Sequence, residues 1–246
     1  MPDSRRHRGQ HPADALLFGA SQLPKLQQAV RDLSWLLSRG YSERSALKLV
    51  GDRYRLRDRQ RLGVSRSACS RQSAARRSLH ALPEEAMRGN TLHIDGFNLL
   101  ITVESALSAG FILEGVDGCL RDMASIHGSY RRVLETEGAI QLSGQALQQL
   151  GVEKAVWYLD RPVSNSGRLR QAILDKAAEQ SWPWEVDLLF NPDNSLKESN
   201  IPAASSDSVV LDNVAQWFNL ARFIICQFIP DARILPMGQL AKADHF

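Results

Sequence analysis

Residues 155–190 read AVWYLDRPVSNSGRLRQAILDKAAEQSWPWEVDLLF. The run 155–159 is continuously apolar and stops at Asp160, which is the pattern of a strand buried on both faces. A polar loop over 161–167 leads into a helix expected over about 168–180, and 184–190 reads as a second strand closed by Pro192. Strand, loop, helix and strand in this order form the unit of a parallel sheet, whose crossovers are right-handed. Upstream, the β-prone run 91–94 ends at Asp95-Gly96-Phe97-Asn98, and 99–107 can start a helix. Downstream, Ser205-Ser206-Asp207 precedes a helix expected over 208–220, and 223–228 reads as a further strand. The expected fold class is therefore α/β, with helices on both faces of a parallel sheet in three α/β/α layers.

The remainder of the chain has a different character. Residues 1–90 carry 18 Lys and Arg against 8 Asp and Glu, a net +10, whereas residues 91–246 carry 12 against 19, a net −7. Leu23, Leu26, Val30, Leu33 and Leu37 recur at helical spacing over 22–38, and Gly40 follows as a stop signal. Ser42 opens a second helix, arginine then occupies every second position from Arg53 to Arg61, and 64–79 reads as one further helix. A small basic all-α unit over 1–88 is expected, followed by an α/β unit over 89–246, with the hinge in 81–90 around Pro83 and Gly89. Arg57, Arg59, Arg61, Arg66, Arg71 and Arg76 are its candidate nucleic-acid contacts, since a basic helical module can collect phosphates by counterion release. A docking or purely structural role for the same helices is the alternative.

Composition excludes several classes. With 43% hydrophobic and 23% charged residues among 246, the chain has material for a real core and is not globally disordered. No apolar run approaches a membrane span and no signal-type start is evident, so a cytoplasmic protein without membrane contact is expected. Three scattered cysteines give neither a disulfide framework nor a cysteine zinc site, and six scattered histidines give no zinc spacing. GxSxG, P-loop and GxGxxG motifs do not occur, which leaves acyl transfer, P-loop hydrolysis and standard dinucleotide binding without support.

The acids carry the chemistry. In open parallel sheets ligands sit beyond the carboxyl ends of the strands. Asp95 and Asp160 each follow a strand run and Asp207 lies at a loop-to-helix junction, so three carboxylates from separate segments are expected at one edge. Each alone reads as a turn residue or a helix cap. Together they would repel one another, and two charges about 4 Å apart cost roughly 1 kcal/mol in water and about 4 at an effective dielectric of 20. Such a cluster takes up protons or a hard cation, Mg²⁺ or Mn²⁺, which can activate water and stabilise charge on a phosphate.

IDGFNLL at 94–100, the strand ending in Asp160, and SSDSVVLD at 205–212 together resemble the PIN-like nuclease superfamily over roughly residues 90–240. The whole chain is also similar to a prokaryotic family joining a helical domain to a PIN-like one, with ITVESAL, DGCLRD and HGSYRR as further matching stretches. The resemblance implies a metal-dependent endoribonuclease. Asp95, Asp160 and Asp207 would be its catalytic metal ligands, with Asp212 reaching the metal through water and Glu104, Asp117 and Asp122 competing for one further position. Asn98 and Ser206 would orient a ligand or a substrate phosphate. RNA is the expected partner and DNA the second choice. Arg121, Arg131 and Arg132 are candidate phosphate clamps, His127 a candidate acid, and Ser164 and Ser166 candidate phosphate contacts, although each also reads as an ordinary surface or turn residue. The tryptophans at 157, 182, 184 and 217 read as core. A nucleic-acid-binding protein with a degenerate nuclease-like domain, an interaction scaffold and a small-molecule phosphatase are the rival readings.

Overall fold

The structure, a computed structural model, describes residues 7–8, 11–124 and 130–239. The first third is helical: α1 (Asp14–Phe18), α2 (Leu23–Leu37), α3 (Glu43–Arg53), α4 (Asp58–Ser67) and α5 (Arg71–His80). A 3-10 turn at Glu84–Met87 leads to β1 (Thr91–Asp95), α6 (Gly96–Leu107), β2 (Phe111–Glu114), β3 (Leu120–Arg121) and α7 (Thr136–Gln149). Then follow β4 (Lys154–Asp160), α8 (Ser166–Gln180), β5 (Trp184–Leu189) and α9 (Pro192–Glu198). The chain closes with β6 (Ala203–Ala204), α10 (Ser208–Leu211), α11 (Leu220–Phe228) and β7 (Arg233–Leu235). No described helix is long and apolar enough to cross a membrane.

The main sheet has the order β5-β4-β1-β6 with every pair parallel, as the alternation of strand and helix requires. Because side chains alternate across a strand, Leu92 and Ile94 of β1, Ala155, Trp157 and Leu159 of β4, and Trp184 and Val186 of β5 share one face. That face forms the largest core, packed against α6, α7, α8 and α11. The other face carries His93, Tyr158, Glu185 and Asp187. Helices α9 and α10 cover it near β1 and β6 through Leu196, Val210 and Leu211, with Trp217 beside them. Glu185 and Asp187 remain exposed, so β5 is an edge strand with one wet face rather than a strand buried on both.

Three expectations are corrected. The helix expected over 208–220 is only the single turn α10. Residues 223–228 are helical within α11: Leu220, Ala221, Ile224 and Ile225 are buried at helical spacing, and the Asn219 side chain accepts from the Arg222 amide at 3.3 Å to cap it. The adjacent isoleucines imitate a strand when read alone. The helix expected over 64–79 is broken between α4 and α5, where Ser70 accepts from the Ser73 amide at 3.0 Å and starts a new helix.

A second sheet, β3-β2-β7, was not legible in the sequence. Phe111 and Leu113 of β2 and Met123 join Leu26, Val30, Leu33, Val50 and Val64 in one core, against which Leu235 also packs. The amino-terminal helices thus complete their core with residues from the carboxyl-terminal half. A buried ionic junction reinforces this. Arg77 of α5 donates to Asp117 at 2.5 Å and to Asp212 at 2.7 and 2.9 Å, and Arg121 donates to Asp117 at 2.7 and 2.9 Å. Removing one partner of a buried ion pair leaves a charge without compensation. Arg77→Ala is expected to lower the unfolding free energy in urea by about 3–5 kcal/mol, whereas the exposed Arg71→Ala changes it by at most about 0.5. A loss at Arg77 no larger than at Arg71 would contradict the junction.

Candidate functional site

The parallel register fixes where the acids go. Asp95 is the last residue of β1 and Asp160 the last of β4; Asp193 lies in the first turn of α9 just beyond β5, and Asp207 follows β6. All four line one cleft of about 700 Å³, together with Asn98 and Ser206. Arg66, Cys69, Arg77, Arg121, Asp122 and Asp212 line the same cleft. Of the acids expected here, Asp95, Asp160 and Asp207 are brought together.

A chain of hydrogen bonds holds the floor. Ser205 donates from Oγ to Asp95 at 2.8 Å and accepts from the Asp207 amide at 3.0 Å, while the Asn98 amide donates to Asp95 at 3.3 Å. The Asn98 side-chain Oδ1 accepts from both the backbone amide and the hydroxyl of Ser206, at 2.8 and 2.9 Å. Asp207 caps α10 by accepting from the amides of Val209 and Val210. Burial pushes Asp95 up to about 7, against the Ser205 and Asn98 hydrogen bonds and with help from the charges of Asp193 and Asp207. Burial and then the neighbouring Asp193 raise Asp160, and burial and then Asp207 raise Asp193. Three acids are thus displaced toward their neutral forms in one cleft, the condition that favours a proton or a cation. The Cys69 thiol is pushed up by burial to about 11 and is no thiolate nucleophile.

The remaining candidates have other partners. Glu104 is fully buried away from the cleft, where it accepts from Arg8 at 2.8 Å, Thr136 at 2.6 Å and the Tyr130 hydroxyl. Asp117 is enclosed by Arg77 and Arg121, which hold its carboxyl well below the usual range against its burial. It is therefore a structural anion. Asp212 reaches the cleft wall but pairs with Arg77. Asp122 also lines the wall, accepting from Thr102 at 3.1 Å and from Arg66 at 3.3 Å. Arg121 is buried and donates to the Ser206 carbonyl at 2.7 Å, so it positions the 205–207 loop instead of clamping a phosphate. Ser164, Ser166, Arg131 and Arg132 do not line the cleft, and His127 falls outside the described residues.

The arginines read as a nucleic-acid face are mostly engaged internally. Arg59 pairs with Asp14, Arg61 with Asp52, Arg66 with Asp122 and the Ala124 carbonyl, and Arg76 with the Asp212 carbonyl. Arg57 and Arg71 are exposed. Sequence reasoning missed two residues of the site. Asp193 is hidden because Pro192 closes the strand, although strand, Asn191, Pro192 and Asp193 repeat the strand-then-acid pattern of the other two. Ser205 was overshadowed by its neighbours in the same motif. Among the described residues, no three His, Cys, Asp or Glu side chains stand close enough together to hold a metal ion directly.

A family model described as a domain of unknown function (DUF5616) matches residues 84–223, and one described as a protein of unknown function (DUF434) matches residues 25–78. The chain belongs to the DUF5616 family. An uncharacterized protein of Methanocaldococcus jannaschii, MJ0935, is 34% identical over 188 residues, covering 76% of this chain and 88% of that protein. No solved structure matches the chain.

The raised Asp95 fixes a sign. Its folded-state value of about 7 lies above the ordinary 3.8, so between those limits the folded protein binds the extra proton, and stability falls as pH rises through the window. Asp95→Asn cannot ionise. Its stability relative to the wild type is expected to grow from pH 4 to pH 8 by on the order of 4 kcal/mol, measured by urea unfolding across that range. Parallel pH profiles for the two proteins would contradict the assignment.

Proposed function

We propose that this DUF5616 protein is a metal-dependent endoribonuclease whose α/β half has the three-layer PIN-like arrangement, with Mg²⁺ or Mn²⁺ held among Asp95, Asp160, Asp193 and Asp207. The observation that carries this reading is the convergence of four acids from four separate segments on one cleft at the carboxyl edge of a parallel sheet. An all-oxygen donor set suits a hard cation. Since no three acids meet closely, they would hold the ion largely through its bound waters, which Mg²⁺ retains readily. Such an ion supplies an activated water and charge stabilisation on a phosphate.

The chain's own groups divide the rest of the work. Ser205 and the Asn98 amide fix the Asp95 carboxylate, and Asn98 in turn is fixed by Ser206. Asp207 is immobilised as a helix cap, while Asp160 and Asp193 are half-buried at the mouth and able to close on a cation. Arg57 and Arg71, with Arg44, Arg53 and Arg55, are exposed cations of the helical half available to a nucleic-acid backbone.

A second reading, a non-catalytic nucleic-acid-binding protein, is favoured by the absence of three closely grouped acids among the described residues. The deciding assay is hydrolysis of single-stranded RNA with Mn²⁺. Wild type is expected to cleave, Asp160→Asn and Asp193→Asn to fall about 100-fold or more, and the remote Asp175→Asn to match wild type. In parallel, Mn²⁺ should raise the wild-type Tm more at pH 8 than at pH 5, because protons compete for the same oxygens. RNA binding with steep salt dependence but neither cleavage nor a Mn²⁺-dependent Tm would establish the second reading.

A further inference from the structure

At the carboxyl edge of the parallel sheet stands a side chain that the core has no use for. Phe190 directly follows β5 and is 73% exposed. Arg161 directly follows Asp160, at the same edge of the sheet, and its amide donates to the Leu189 carbonyl at 2.7 Å. Its guanidinium lies over the Phe190 ring, 4.9 Å from the centroid. Asp160 precedes the arginine by one residue and Asp193 follows the phenylalanine by three. The ring is thus in water, backed by a planar cation, at the edge where the strands deliver the acids.

We propose that Phe190 and Arg161 form a stacking platform for an unpaired nucleobase, so that the substrate is single-stranded nucleic acid whose backbone passes the acids at 160 and 193. The proposal rests on the nuclease reading for the identity of the cleft, but not for the platform itself. Every base offers a flat face to a ring, and stacking of this kind discriminates single strands from duplexes, whose bases already stack on one another. The guanidinium backs one face of the ring and brings a positive charge within reach of the phosphate of a nucleotide stacked on the other face. That charge also offsets the local repulsion between the acids and the approaching backbone. Substrate choice would then follow from strandedness instead of from base identity, because no hydrogen-bonding edge is required.

The test is fluorescence anisotropy on the full chain in EDTA, with labelled oligonucleotides of about 12 nucleotides, as RNA and as DNA. Four probes are compared: the single strand, its duplex, and abasic versions of each. Wild type is expected to bind the intact single strand about tenfold or more tightly than the duplex or the abasic strand. Phe190→Ala should lose that preference and Phe190→Trp should keep it. Phe190 is exposed, so its truncation leaves the core intact, as a melting curve on each variant verifies. Undiminished single-strand affinity in Phe190→Ala, or equal binding of intact and abasic strands by wild type, overturns the platform. The Mn²⁺-dependent Tm is recorded on EDTA-free aliquots of the same protein preparations, without oligonucleotide. A stacking preference without a Mn²⁺ response upholds the platform and removes the metal site; a Mn²⁺ response without the preference removes the platform and leaves the metal site standing.

Discussion

Asp117, enclosed by the guanidinium groups of Arg77 and Arg121, is the point on which the architecture turns. Arg77 belongs to the helical half, Arg121 to the small second sheet, and Arg121 also holds the Ser206 carbonyl. That contact is one of those that hold the loop 205–207, in which Ser205 donates to Asp95 and Ser206 to Asn98. Buried ion pairs contribute little net stability against apolar replacements of similar volume, but they tolerate few geometries. Here the geometry is what the cleft requires, since residues of both halves of the chain line it.

The acids at the cleft are in a different condition. Asp117 has two cations beside it and is held low, whereas Asp95, Asp160 and Asp193 are raised, each chiefly by burial. Neighbouring carboxylates add to the effect at all three. Burial without a countercharge is unfavourable for a fold that only needs to be stable. It is the expected state of a site whose countercharge arrives from solvent. The same sequence therefore contains acids held low by internal cations and acids raised by burial, a distinction that the sequence spacing does not draw.

Much of this was written locally in the sequence. The strand ending in Asp160 and the strand ending in Asp95 were legible because apolar runs stop at an acid, and α2 because its leucines keep helical spacing. The Ile-Ile pair of α11 was misleading, since a run of four to six apolar residues has no period of its own until its caps and neighbours are known. The second sheet was illegible: its strands are two to four residues long, and β2 meets β7 across more than a hundred positions. The arginine-rich segment misled for another reason. Composition counts charges but not partners, and the partners of Arg59, Arg61, Arg66 and Arg77 lie 9 to 135 residues away. Glu104 failed as a ligand on the same ground, because its partners Arg8, Tyr130 and Thr136 only meet it in three dimensions.

The central claim is that the edge of the parallel sheet gathers acids around a divalent cation. A crystal soaked in Mn²⁺ and measured for anomalous scattering addresses it without reference to any substrate. The account predicts a peak within the cleft, bounded by Asp95, Asp160, Asp193 and Asp207, with waters between metal and carboxylates. A cleft free of anomalous density at saturating Mn²⁺, with the four acids unmoved, would contradict it.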